Sequence, residues 1–196
     1  MKIGIIDYGA GNLRSVGNAL ATLGQPFEVI DTPKEISNFE KIILPGVGAA
    51  GSAMGKLRAA GFPEALRKLT KPFLGICLGM QILGDSSEED STECLAILPG
   101  KARRFETELK VPHMGWNKVS FTKDCPLTKG VPDESFFYFV HSYYLDTKPK
   151  FVVGESIYDI SFPAIVRKGN FYGTQFHAEK SGEWGMKILK NFCESC

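Results

Sequence analysis

The chain carries five cysteines and three histidines from which nucleophilic chemistry could be built. One cysteine stands apart. Cys77 lies in Phe73-Leu74-Gly75-Ile76-Cys77-Leu78-Gly79-Met80-Gln81, where an apolar strand-like run turns into a helix around Gly-x-Cys-x-Gly. This is the thiol counterpart of the Gly-x-Ser-x-Gly nucleophile elbow, a strained strand-to-helix turn that lifts the reactive atom clear of the sheet. A helix starting after the cysteine turns its free amides and positive dipole end toward the sulfur, and places the Leu78 amide to receive an oxyanion. The candidate bases are His113, His141 and His177. His177 follows a strand-like segment (171–176) and precedes Glu179 by two positions. In extended backbone both side chains leave one face, so the carboxylate can orient the imidazole. Cys77, His177 and Glu179 then make a set of nucleophile, base and orienting group, which no particular chain order constrains. Pro45-Gly46-Val47-Gly48 follows the strand Ile42-Ile43-Leu44, and its two glycines let a peptide unit turn its amide inward as second oxyanion donor.

These groups need a scaffold that brings them to one edge. Short apolar runs bounded by glycine or proline at 3–7, 27–30, 41–44 and 73–76 read as buried parallel strands, and a helix from an N-cap at Asn12 to about Leu23 separates the first two. That alternation is the mark of an α/β protein. Beyond Pro99 the helical pattern thins. Strand-like runs at 111–121, 136–140, 151–156, 164–167 and 171–175 predict antiparallel extensions. Trp184, Ile188, Leu189 and Phe192 fall near helical spacing in a closing amphipathic helix over about 182–192. The expected architecture is a three-layer αβα fold with a mostly parallel central sheet and antiparallel extensions. No repeat or linker divides the chain, so residues 1–196 are expected to form a single domain. Such sheets place their sites at the carboxyl ends of the strands, where Val47 and Cys77 both lie.

Composition narrows the partners. Lysine plus arginine (23) nearly balances aspartate plus glutamate (22), so no strong field implies nucleic acid or a membrane. No stretch approaches the roughly 20 apolar residues that span a bilayer. A cytoplasmic protein with reduced thiols and no metal centre is the expectation. Cys193 and Cys196 form a C-x-x-C without a second pair, read as a frayed helix end. Lys101, Arg103 and Arg104 read as a solvated basic face. Gly9-x-Gly11 could open a dinucleotide-binding fingerprint, but Arg14 occupies the position where glycine or alanine is needed.

Several segments together resemble the class I glutamine amidotransferase family, and within it the glutaminase subunits of imidazole glycerol phosphate synthases. They are Asp7-Tyr8-Gly9-Ala10-Gly11-Asn12, Leu44-Pro45-Gly46-Val47-Gly48, the Cys77 elbow through Gln81, Ser86-Ser87-Glu88-Glu89, Pro112-His113-Met114-Gly115-Trp116-Asn117, Phe139-Val140-His141-Ser142-Tyr143 and Gly173-Thr174-Gln175-Phe176-His177-Ala178-Glu179-Lys180-Ser181. The resemblance implies a flavodoxin-like fold and a thioester-forming glutaminase without a cofactor. Ammonia would pass through an internal channel to a (β/α)8 cyclase, the other half of a heterodimer in histidine biosynthesis. It further implies Cys77 as nucleophile, His177 as acid/base and Glu179 as its orienter, with Val47 and Leu78 in the oxyanion hole. Gly46, Gly48, Gln81, Glu89, Ser142 and Tyr143 would grip the amino acid end of glutamine, Glu89 taking the ammonium. Asn12, Trp116, Tyr138 and Lys180 would face the cyclase. One departure is Ala178, where the family usually has proline. Two alternatives stay open: the same glutaminase feeding another acceptor, such as a sugar in surface-polysaccharide synthesis, or a non-catalytic interaction subunit.

Overall fold

The computed structural model describes residues 2–9 and 12–196. Chain order begins β1 (Ile3–Ile6), α1 (Leu13–Thr22), β2 (Phe27–Ile30), β3 (Lys41–Gly46), α2 (Ala50–Ala59), α3 (Phe62–Arg67), β4 (Phe73–Cys77) and α4 (Leu78–Gln81). It continues through β5 (Ser86–Ser87), β6 (Thr92–Glu93), β7 (Gly100–Arg104), β8 (His113–Phe121), β9 (Ser135–His141) and β10 (Tyr143–Thr147). The last elements are β11 (Val152–Tyr158), β12 (Ile160–Lys168), β13 (Phe171–Thr174) and α5 (Gly182–Ser195).

Nine strands form one sheet in the order β2-β1-β3-β4-β13-β12-β11-β8-β9. The first five are parallel, the order of a flavodoxin-like sheet, and the remaining neighbours pair antiparallel. The parallel strands are apolar throughout because helices cover both faces. Ile5, Ile43, Leu74 and Ile76 meet Val16 and Leu20 of α1 and Ile188, Leu189 and Phe192 of α5 on one side. Ile6, Ile42, Leu44 and Phe73 meet Met54, Leu57, Phe62 and Leu66 of α2 and α3 on the other. The α/β layering read from the sequence is present.

Two features differ from the sequence reading, a second sheet and the end of α5. A second sheet, β10-β7-β5-β6, packs outside the first, and Lys101, Arg103 and Arg104 lie on its strand β7. Arg103 pairs with Asp146 and Glu88, and Lys101 with Glu88, so those two cations are neutralised within the fold. Helix α5 runs through Ser195 rather than fraying. Lys41 Nζ holds its end by donating to the carbonyls of Phe192 (2.8 Å) and Cys196 (2.6 Å). Burial pushes the Cys193 and Cys196 thiols up to about 12 and about 11, the opposite of redox activation. Among the described residues no helix is long and apolar enough to cross a membrane.

Candidate active site

Cys77 is the last residue of β4 and the N-cap of α4, with φ 55° and ψ −111°. A side chain other than glycine rarely adopts that conformation, so strain is stored at the nucleophile elbow. Glycines make the turn possible. A methyl group on Gly75 would strike the Gly79 carbonyl, one on Gly79 the Leu44 carbonyl, and one on Gly46 the Gly79 amide nitrogen. Leu78, the first residue of α4, has no acceptor for its amide within the helix and lines the same cavity as the sulfur.

His177 lies just beyond β13, and its backbone N–H donates to the Tyr138 carbonyl (3.0 Å). Its ring is almost wholly buried. Nδ1 contacts Glu179 Oε1 at 2.7 Å, and the same oxygen receives the Asn12 amide at 2.5 Å. With Nδ1 committed to the carboxylate, Nε2 is left for Cys77, which shares the cavity with the ring. Burial alone would lower the pKa of this imidazole. The Cys77 and Glu179 partners overcome it and raise the value to about 10. For Glu179, burial pushes upward, but the His177 and Asn12 hydrogen bonds prevail and hold the carboxyl below its ordinary value.

Two expectations about this cluster need correction. The pairing of His177 with Glu179 comes from a 3-10 turn (Ala178–Lys180), not from alternation along a strand. Asn12 makes no side-chain cap on α1: it sits in left-handed backbone (φ 93°), and its amide is taken by Glu179.

A cavity of about 380 Å³ opens over the cysteine, lined by Val47, Gly48, Cys77, Leu78, Gln81, Glu89, Pro112, Val140, His141, Ser142, Tyr143 and His177. Of the residues expected there only Gly46 is off the wall; it pairs with Cys77 between β3 and β4. Glu89 spends one carboxylate oxygen on the Ala50 amide at the start of α2 (2.7 Å). Gln81 spends both N–H groups, on the Tyr143 carbonyl (2.6 Å) and on Gln175 Oε1 (3.0 Å). Only its oxygen remains for a ligand, so Gln81 and Glu89 both offer acceptors, which suits an ammonium. A larger, shallower hollow of about 720 Å³ between Phe121 and Asp133 contains no histidine. No group of three His, Cys, Asp or Glu side chains among the described residues is placed to hold a metal ion.

Sequence reasoning missed a buried pair of histidines, His141 on the cavity wall and His113 behind it. His141 Nδ1 meets the Tyr143 carbonyl (2.9 Å), which only accepts, so that nitrogen carries the proton. His141 Nε2 therefore accepts from His113 Nδ1 (3.0 Å), and His113 Nε2 faces the Asn117 amide (3.3 Å). Phe139 and Tyr158 stack on His113, and Phe105 and Phe162 pack on both rings. Desolvation drives the pKa of His113 down to about 4 and of His141 to about 3.

The β8–β9 ribbon ends the large sheet with one wet face. Met114, Trp116 and Phe136 stand exposed on it (63%, 55% and 49%), and Trp116 pairs across the strands with Tyr138. Lys180 is exposed in the turn after His177, and Trp116 lies near Gly182. Three of the four residues expected at a partner surface are thus outward or rim positions. Asn12 instead turns inward to Glu179.

The family model described as "Glutamine amidotransferase class-I" matches residues 4–196. The chain belongs to the class I glutamine amidotransferases. Among members of that family, it is similar to the imidazole glycerol phosphate synthase subunit HisH of Desulfitobacterium hafniense (strain DSM 10664 / DCB-2), 50% identical over 97% of this chain and 92% of that one. The subunit of the same name from Dehalococcoides mccartyi (strain CBDB1) is 45% identical over 97% of this chain and 95% of its own. In structure the amidotransferase fold is shared with PurLQS from Thermotoga maritima (TM-score 0.75, 20% identity, 98% of this chain and 97% of that chain). A glutamine amidotransferase of the same organism is similar too (TM-score 0.68, 19% identity, 100% and 81%).

Proposed function

We propose that this amidotransferase is the glutaminase subunit of an imidazole glycerol phosphate synthase, supplying ammonia to a (β/α)8 cyclase in histidine biosynthesis. The observation that carries the reading is the meeting of Cys77 and His177 on one cavity rimmed by acceptors, with His177 hydrogen-bonded to Glu179 behind it. The HisH relatives, at 45–50% identity over nearly the whole chain, support imidazole glycerol phosphate synthesis over a sugar acceptor.

Glutamine enters with its ammonium toward Glu89 and the Gln81 oxygen, and its carboxylate toward the Ser142–Tyr143 side of the rim. The sulfur of Cys77, its proton passed to His177, attacks the side-chain amide carbon and forms an S–C bond. The resulting oxyanion is met by the Leu78 amide and by an amide near Val47, each donor contributing on the order of 3 kcal/mol. Collapse breaks the C–N bond, and His177 returns the proton to the departing nitrogen, giving ammonia and a glutamyl thioester. Water then gives a proton to His177 and its oxygen to the thioester carbon. The S–C bond breaks, glutamate leaves, and the sulfur recovers the proton. Glu179 holds the imidazole in place throughout.

The exposed stripe of Met114, Trp116, Phe136 and Tyr138 is the surface proposed for the cyclase, since one apolar face left open at a sheet end marks a protein contact. The test is glutamine turnover by Cys77→Ala mixed with the cyclase and its acceptor. Turnover is expected to vanish while the two subunits still co-elute in gel filtration. Glutamate release persisting at the wild-type rate would overturn the assignment.

A further inference from the structure

We propose that Gln175 is a positioning residue for the nucleophile: its side-chain amide holds the Cys77 sulfur for attack, and the Tyr143 carbonyl dictates its orientation through Gln81. The inference rests on the reading of Cys77 as nucleophile.

The argument begins at a group that cannot be turned around. A backbone carbonyl only accepts, so the side-chain atom of Gln81 lying 2.6 Å from the Tyr143 oxygen must be the nitrogen. The second N–H of that nitrogen points at the Gln175 side chain, 3.0 Å away, and there requires an oxygen. Gln175 is thereby forced to direct its own nitrogen the other way, where it lies 3.8 Å from Cys77 Sγ, a reach suited to a large sulfur acceptor. Rotating the Gln175 amide would set N–H against N–H at Gln81 and a lone pair against the sulfur. Both side chains are buried, Gln175 completely, so water cannot repair either mismatch. The main chain is pinned as well, the Gln175 N–H donating to the Ala164 carbonyl (2.8 Å). His141 Nδ1 shares the Tyr143 carbonyl, so the buried histidine pair anchors the far end of the chain.

The donor matters most once the sulfur is charged. As a thiol, Cys77 has the Val140 carbonyl within reach, 3.9 Å away. After its proton moves to His177 that carbonyl offers only lone pairs to an anion. The Gln175 N–H is then the fixed side-chain donor, other than His177, that faces the sulfur. It keeps the nucleophile from turning away from the carbonyl carbon of the substrate.

The experiment uses the full chain with its cyclase subunit, in variants Gln175→Glu and Gln175→Met, with Cys77→Ala alongside. Gln175→Glu keeps shape but sets an oxygen against the sulfur, and Gln175→Met keeps bulk without a donor. Steady-state kinetics should show kcat lower by about 100-fold in the first and about 10-fold in the second, with KM for glutamine within about threefold. Labelling of Cys77 by a diazoketone mimic of glutamine, read by mass spectrometry, should slow in parallel. A merely structural role would lower the melting temperature while leaving kcat per labelled site unchanged. Folded variants with wild-type kcat and labelling rate would overturn the proposal. If neither variant folds, the Gln175 side-chain amide NMR signal decides: it should shift between wild type and Cys77→Ala, and an unmoved signal would equally overturn it. Turnover by Cys77→Ala would instead remove the nucleophile reading beneath it.

Discussion

His177 and the His113–His141 pair sit around one cavity yet lie at opposite ends of the imidazole range. His177 is held near 10, His113 near 4 and His141 near 3. Burial opposes the charged ring in all three. The difference is the company: a carboxylate and a cysteine beside His177, aromatic rings and another neutral imidazole around the pair. Burial therefore does not raise an imidazole's hold on its proton in this molecule; its partners do, and one sheet builds both outcomes.

The largest effect should come from making His177 resemble its neighbours. Glu179→Gln removes the charge but keeps the shape, and kcat for glutamine is expected to fall on the order of 100-fold. The optimum should move to lower pH as His177 loses its raised affinity for protons. A pH profile of kcat matching wild type would break the comparison at its stronger end.

A stability profile sharpens it next. His177 has a folded pKa above the ordinary 6.5, so its contribution is complete below pH 6.5 and is lost as pH rises through about 10. The pair has folded values below 6.5, so its contribution is complete above pH 6.5 and is lost as pH falls through about 4 and then about 3. Urea unfolding across that range should show both flanks. His113→Phe should flatten the acid flank, with a slope change of at most about 1.4 kcal/mol per pH unit, and leave the alkaline flank alone. An unchanged acid flank would count against the neutral pair.

The smallest effect concerns Ala178, the first residue of the turn that carries Glu179. His177 before it already has extended backbone (φ −82°, ψ 95°), which a following proline tolerates. Ala178→Pro should raise stability by about 0.5 kcal/mol through the unfolded chain and leave kcat within about twofold. Thermal melts and initial rates check both, and a large loss of either would show that Ala178 has a role of its own.

The parallel half of the fold was legible because its strands are continuous apolar runs and its elbow has a fixed glycine spacing. The second sheet was not. Lys101, Arg103 and Arg104 show no apolar alternation, and the carboxylates that pair with the first two, Glu88 in a turn and Asp146 on β10, are distant in sequence. Proximity of His177 and Glu179 could be foreseen from two-residue spacing, although the turn that creates it could not. Asn12 looked like a helix cap because residue type alone cannot reveal a carboxylate 167 positions away that takes its amide. Gln175 had no signal, since a buried amide acquires its direction only from atoms that folding brings to it.

The crowding of Gly46, Gly75 and Gly79 beneath Cys77 bears on how this scaffold could be redirected. One added methyl at any of the three would wedge two backbones apart, so the floor offers no room for adjustment. An engineer wanting another amide hydrolysed should leave that floor intact and vary the rim, at Glu89, Ser142 and Tyr143, which line the cavity.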